Sequence, residues 1–208
     1  MDTVLSKDIE SDWKRCVDFH GHECPGLAIG FMAARAGLKW IEGHRSEDEE
    51  IVAVVENDAC GVDGVQVLTG CTFGKGNLIY RDHGKQVFTF FNRATSRGAR
   101  FSLKAGAVPQ DDRHRQLMMK MRDGLASPEE RAELAERRAA TMIAILSKNP
   151  EELFAISEPI AALPEKAIVQ KAEPCAVCGE PTMPAKMIER NGGRFCRPCA
   201  QKDATNAR

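Results

Sequence analysis

His20, His22, Glu23 and Cys24 place two imidazoles, a carboxylate and a thiol within five positions, and the run then stops abruptly at Pro25-Gly26. Imidazole and thiolate are the ligands of zinc and related transition metals, and a thiol can also act as a nucleophile. In an extended turn alternate residues point the same way, so His20, His22 and Cys24 can converge. Proline is favoured at the first helical position, which makes Cys24 the expected N-cap of a helix reaching to about residue 39. Its sulfur then faces the positive end of the helix dipole, where a thiolate is favoured. Cys60, Asp63 and Cys71 are the candidates to complete or buttress this site. The two thiols are further candidate ligands. Asp63 suits the orienting of an imidazole or a place beside an open position. Should the site turn over substrate, the catalytic candidates are Cys24 and Asp63. A single His or Cys is more often a packed residue, and Cys16, His44, His83 and His114, which lack such company, read as structural or surface residues.

The remaining four cysteines form two C-x2-C pairs, Cys175/Cys178 and Cys196/Cys199, with 17 residues between them. Such spacing closes a tetrahedron of thiolates around a structural zinc. A module of this size buries too little core to fold alone, so the metal supplies its stability. A hairpin is expected between the pairs, turning at Arg190-Asn191-Gly192-Gly193. From Lys171 onward seven basic side chains face four acidic ones. A zinc held by four thiolates subtracts two charges, leaving about +1, too weak a footprint for nucleic acid.

These residues need elements to position them. Residues 8–19 carry Ile9, Trp13, Cys16 and Val17 at helical spacing and deliver the chain to His20. In the next helix Gly26, Gly30 and Ala34 stand four apart, which lets another backbone pack close. Ile51-Val52-Ala53-Val54-Val55 reads as a buried central strand, and polar residues at such strand ends often form sites. Asn57 or Asp58 is placed to cap a following helix on which Cys60, Asp63 and Val67 share a face. The loop from Gly70 to Asn77 is not a P-loop: its glycines are too close, and Asn77 is no hydroxyl residue. Residues 78–82 and 86–91 read as a hairpin turning at Gly84, and residues 99–103 as another strand. The bases Arg93, Arg97, Arg100 and Lys104 read as a solvated edge. A helix over 115–125 puts Leu117, Met118, Met121 and Leu125 on one stripe. A second, opened by Ser127-Pro128-Glu129-Glu130, carries Ala132, Ala135, Ala139, Met142, Ile143 and Leu146. These stripes suit packing against the sheet or a second subunit. The fold class expected is α+β, a mixed or antiparallel sheet flanked by helices. The domains expected are a core over 1–155, a proline-punctuated linker over 156–172 and a four-cysteine zinc ribbon over 173–208.

Composition narrows the classes. A net charge of −1 argues against a whole-chain nucleic-acid binder. No apolar run is long enough to span a bilayer, and the first residues form no signal peptide, so a cytoplasmic chain without a membrane partner is expected. Eight cysteines in that setting point to metal or redox chemistry rather than disulfides.

The stretch Phe19-His20-Gly21-His22-Glu23-Cys24-Pro25-Gly26-Leu27-Ala28-Ile29-Gly30, with Asp58-Ala59-Cys60, Val62-Asp63, Gln66 to Cys71-Thr72 and Gly74 to Leu78, resembles the E-subunit family of formylmethanofuran dehydrogenase. The resemblance covers about residues 15–150, and a terminal zinc ribbon is a common companion of that domain. It implies an α+β core, a homodimer and a metal near the His-Gly-His-x-Cys motif. It further implies association with the molybdenum or tungsten enzyme that reduces CO2 to a formyl group, whose catalytic cofactor lies in other subunits. The first functional expectation is therefore a metal-binding accessory of a redox complex of one-carbon chemistry, with structural zinc in the ribbon. Its core would hold a second metal, zinc or another divalent transition metal. An alternative is a stand-alone metal- or thiol-dependent enzyme acting on a small carbonyl-type substrate. A third, regulatory reading leaves the core cluster unexplained.

Overall fold

The structure, a computed structural model, describes residues 7–205 except 110, 169 and 191. The N-terminal residues 1–6, Asn191 of the expected turn, and Arg208 and the Asp203 side chain of the charge count lie outside the description. Two compact units divide the chain, residues 1–166 and 167–208.

In the first unit, α1 (Lys7–His20) runs to the first histidine and α2 (Pro25–Trp40) starts at the expected proline. The central strand β1 (Ile51–Val55) spans the run expected of it and precedes α3 (Gly61–Thr69). Next come β2 (Leu78–Tyr80), β3 (Val87–Asn92) and β4 (Gly98–Leu103). Two helices, α4 (Asp112–Arg122) and α5 (Pro128–Leu146), and the single turn α6 (Pro150–Leu153) lead to β5 (Phe154–Ser157). The five strands form one mixed sheet in the order β2-β1-β3-β4-β5. Only β1 and β2 are parallel.

The hairpin expected over residues 78–91 does not form. β2 and β3 lie on opposite sides of β1, and the loop between them straddles the end of that strand. Arg81 N donates to Val55 O, Lys85 N to Glu56 O, and Glu56 N to Val87 O. An interior strand needs hydrogen-bond partners on both edges, and this one short segment links the two strands that supply them.

One face of the sheet carries Ile51, Ala53, Val55, Phe88, Phe90, Ala99 and Phe101 into a core shared with α1, α2 and α5. Phe31, Phe88, Phe90, Phe101 and Phe154 are fully buried there. Each such side chain contributes about 1.5–3 kcal/mol. The edge contacts Phe90–Phe101 and Phe101–Phe154, both 5.9 Å between ring centres, add order to the layer. The opposite face is met by the segment after β5. Arg93 donates to the carbonyls of Pro164 (2.7 Å) and Glu165 (3.1 Å). The stretch expected as a linker is thus divided: residues 156–166 belong to the first unit, partly as strand β5 and partly through Arg93.

The helical stripes are shifted from their expected places. Asp111 caps α4 by accepting from His114 N at 2.7 Å, three residues earlier than the periodicity suggests. Only Leu117 of the expected stripe is buried; Met118, Met121 and Leu125 are exposed. Ser127 and Glu130 form the expected capping box of α5. Its buried side is Leu134, Thr141, Met142 and Ile145, while Ala135, Ala139 and Ile143 face outward. Alanine is apolar but small, so its spacing did not reveal which side packs.

The second unit consists of two short hairpins, β6 (Glu173–Pro174) with β7 (Pro181–Thr182) and β8 (Ile188–Arg190) with β9 (Gly193–Phe195), followed by α7 (Arg197–Thr205). Among the described residues no helix is long and apolar enough to cross a membrane.

Candidate metal centre and its cleft

Cys24 adopts extended backbone angles at the N-cap of α2, and Leu27 N donates to its Sγ at 3.3 Å. Cys60 occupies the corresponding place before α3 but makes no capping bond, which leaves its thiol free to face Cys24. Asn57, expected as a helix cap, instead holds the preceding turn: its Oδ1 accepts from Ala59 N (3.1 Å) and its Nδ2 donates to Lys85 O (2.8 Å). Two helix starts are thus brought side by side.

Glycines make that approach possible. A Cβ on Gly30 would sit 1.8 Å from Gly61 O, and one on Gly64 would sit 2.8 Å from Phe31 N. The small-residue face expected on α2 therefore meets the backbone of α3. A Cβ on Gly26 would stand 3.1 Å from Cys60 Cβ, so the cysteines flank a position that only glycine fills comfortably.

His20 closes the group from the last turn of α1. One ring nitrogen of His20 and the sulfurs of Cys24 and Cys60 all lie within 4.8 Å of one another. His20 Nε2 is 3.7 Å from Cys24 Sγ, while Nδ1 is 2.6 Å from Asp63 Oδ2. Asp63 is itself held by Gln66, whose Nε2 donates to Oδ1 at 3.2 Å. The imidazole is only 11% exposed. A carboxylate on one ring nitrogen fixes the tautomer and turns the other toward a metal. Burial pushes the Cys60 thiol up, and the neighbouring Cys24 adds to that shift. Two thiols with an imidazole form a donor set that zinc accepts, and binding a cation is the natural release for thiols crowded in this way.

Two expected ligands are placed elsewhere. His22 is exposed and lies against His20, ring centres 4.5 Å apart, outside the group that meets. α1 continues through His20, so the extended turn that would have aligned His20, His22 and Cys24 does not exist there. Cys71 is wholly buried in the core and donates to Ile51 O at 3.4 Å; burial pushes its thiol up to about 11. Cys16 is also buried, its thiol pushed up to about 12 by burial first and by Asp12 next. His44 and His83 are exposed, and His114 is buried beneath the α4 cap.

A cleft of about 540 Å³ opens beside the group, lined by His20, Cys60, Asp63, Asp58, Phe73 and Tyr80 among others. Phe73 is 64% exposed at its rim. Gln66, Phe73 and Tyr80 are site residues that the sequence alone did not single out. Gln66 was legible as the i+3 neighbour of Asp63, whereas the aromatics reach the cleft only through tertiary folding. Trp13 was also missed as an anchor: its Nε1 donates to Glu23 Oε1 at 3.2 Å and ties the motif turn to α1. Lys75, in the loop that is no P-loop, is tied to the carbonyls of Ser46 and Glu47, each at 3.1 Å.

In the second unit the sulfur atoms of Cys175, Cys178, Cys196 and Cys199 lie within 4.8 Å of one another. Gly179 takes φ +72° just after the first pair, and Gly179 N donates to Cys175 O at 2.9 Å, which curls both thiols toward one point. Cys196 N donates to Cys175 Sγ at 3.3 Å, and Cys199 lies in the first turn of α7. Four convergent thiols fit a structural zinc.

A family model described as "FmdE, Molybdenum formylmethanofuran dehydrogenase operon" matches residues 19–155. A "Prokaryotic dksA/traR C4-type zinc finger" model matches residues 169–203. A protein of Archaeoglobus fulgidus named "Probable S-adenosyl-L-methionine-binding protein" is 32% identical over 196 residues, covering 89% of this chain and 51% of that protein. The chain spans about half the length of this relative. Among solved structures, a tungsten formylmethanofuran dehydrogenase FmdE-like protein from Syntrophus aciditrophicus shares the fold, with a TM-score of 0.55, 24% identity and 96% of each chain covered. The first family match contains every residue of the candidate core group, and the second contains all four convergent thiols: the chain is a metal-binding protein of the FmdE family with a C-terminal C4 zinc finger.

Proposed function

We propose that this chain is an accessory protein of a redox complex working at the CO2/formyl level, and that its core binds a divalent transition metal through His20, Cys24 and Cys60. The observation that carries the metal is the meeting of these three side chains within 4.8 Å beside an open cleft. The family description supports the setting, since it names the molybdenum formylmethanofuran dehydrogenase operon. Asp63 positions His20, and the two helix N-termini favour anionic sulfur next to the ion. The working form proposed is a cytoplasmic homodimer.

Metal content of protein purified without added metal and dialysed against a mild chelator tests this reading. About two metals per chain are expected, one of them the finger zinc. Loss of the second alone in Cys24→Ala and Cys60→Ala supports the core site. A single zinc, unchanged by those replacements, overturns it. Co-purification with a molybdenum- or tungsten-containing oxidoreductase from the native host tests the accessory role, and its absence under mild extraction counts against that role.

The cleft supports a second reading, a stand-alone enzyme acting on a small carbonyl-type substrate. Three protein ligands and an open position are the pattern of catalytic zinc, and a metal there would supply Lewis acidity. Asp58, Tyr80 and Phe73 would bind and orient the substrate, with Phe73 limiting water access. Because the Archaeoglobus relative is named for S-adenosylmethionine, that cation belongs among the first ligands to screen against the acidic, aromatic cleft.

A further inference from the structure

A second pocket, of about 340 Å³, lies on the sheet face turned away from the helical core. Val54 and Phe91 supply an apolar lining with Thr89 beside them, while Ile160 and Ala161 contribute a wall from the segment after β5. Arg81, His83 and Lys85 enter from the loop that straddles β1, and Arg100 from β4. Glu56 is the one carboxylate among these lining residues.

The charges do not cancel. Glu56 accepts from Arg100 Nη2 at 3.2 Å and meets His83 Nδ1 at 3.1 Å, so its charge is spent within the pocket. Arg100 is only 16% exposed, and its Nε is buried without an acceptor. Among the described residues, the Arg81 guanidinium and Lys85 Nζ make no hydrogen bond or ion pair; the one side chain bonded to either residue is that of Asn57, to the Lys85 carbonyl. The other bases of the same stretch are occupied: Arg93 by three carbonyls, Arg97 by Glu42, Lys104 by the carbonyl of Glu151. Excess positive charge is therefore concentrated at one concave, partly apolar place, which is how small anionic ligands are selected. The expected solvated edge holds for Arg97 and Lys104, which are exposed though paired, whereas Arg93 is half-buried against carbonyls and Arg100 lines the pocket.

We propose that this pocket is a binding site for a small organic anion, with an apolar body against Val54 and Phe91 and a carboxylate or phosphate head between Arg81, Lys85 and Arg100. Arg81 and Lys85 supply long-range attraction and pair with the head, in which a planar guanidinium can grip two oxygens at once. Thr89 offers a hydroxyl at the inner side. The site is separate from the thiol cleft, sharing none of the lining residues named for it.

Titration of the full chain at low ionic strength with phenyl phosphate, benzoate, inorganic phosphate and benzyl alcohol, followed by calorimetry and amide NMR, tests the proposal. Phenyl phosphate or benzoate is expected to saturate one site, shifting amides of residues 54–56, 81–91 and 100. Whichever of the two binds tighter identifies the preferred head. Inorganic phosphate is expected to bind at least tenfold more weakly than phenyl phosphate, and benzyl alcohol not to saturate. The double variant Arg81→Gln/Lys85→Gln, both exposed and therefore safe for folding, is expected to weaken binding at least tenfold with an unchanged melting curve. Cys24→Ser/Cys60→Ser is expected to leave binding intact. Absence of saturable binding by either aromatic anion, equal binding of benzyl alcohol, indifference of the double variant, or loss in the cysteine variant would each overturn it.

Discussion

His20 and Asp63, 43 positions apart in the chain, are joined at 2.6 Å between Nδ1 and Oδ2, linking the end of α1 to the first turn of α3. This bond decides which ring nitrogen, Nε2, is offered toward Cys24. Replacing Asp63 by Asn keeps the shape but removes the charge and permits the wrong tautomer. A loss of about 10–100-fold in affinity for the core metal is expected, the usual cost of removing such a partner. A chelator competition titration measures it, and the finger zinc provides the internal control.

Cys71 separates a packing role from a ligating one. Its sulfur is enclosed in the core and engaged with Ile51 O. Cys71→Ala should therefore lower stability by about 1–2 kcal/mol while leaving the metal content at its wild-type value. Cys24→Ala should lose the core metal and, with it and with the α2 cap, some stability as well. Denaturant melts and elemental analysis on the two variants give the comparison, and loss of metal in Cys71→Ala would return that residue to the site.

Gly30→Ala tests the crossing of α2 and α3. The added methyl would land 1.8 Å from Gly61 O, so the two helices must part. A loss near 3 kcal/mol is expected, the upper range for overpacked cores, which lowers Tm by roughly 6–12 °C in a unit of this size. Gly74→Ala, where the added Cβ meets no atom within 4 Å and φ is not in the left-handed region, should leave Tm within about 2 °C.

Glu50 sets an acid dependence. Its carboxylate accepts from Ser46 Oγ (2.7 Å) and Asp48 N (2.9 Å), and these bonds, the hydroxyl's first, hold it down to about 2 from an ordinary 4.5. The folded value is below the unfolded one, so the contribution is complete above pH 4.5 and is lost as pH falls from 4.5 toward 2. In Glu50→Gln that part of the acid slope should disappear. Melting temperature against pH for both proteins shows it, and parallel curves between pH 2 and 5 would contradict it.

Local signals were legible where one residue type decides the structure. Pro25 after Cys24 fixed the start of α2, the β-branched run 51–55 fixed the central strand, and Ser127 with Glu130 fixed the start of α5. The four C-terminal cysteines needed only their spacing. Pairing across the sheet was not legible: Gly84 suggested a hairpin, yet the loop around it bridges two strands over a third. The core site was half legible. Its chemistry lay in the motif, but the selection of Cys60 over Cys71 and of His20 over His22 depends on two glycine contacts and one helix end that composition does not reveal.

The crossing of α2 and α3 has one more consequence. Cys24 and Cys60 each stand immediately before a helix, and those helices touch through Gly30, Gly61 and Gly64 with no side chain between them. The gap between the sulfurs is therefore a property of the main chain, which rotamer changes adjust only slightly. Occupancy and folding of the core then become two readings of a single equilibrium: whatever fills the gap raises the melting temperature by its own mass action, and heat should empty the gap and unfold the core in the same step.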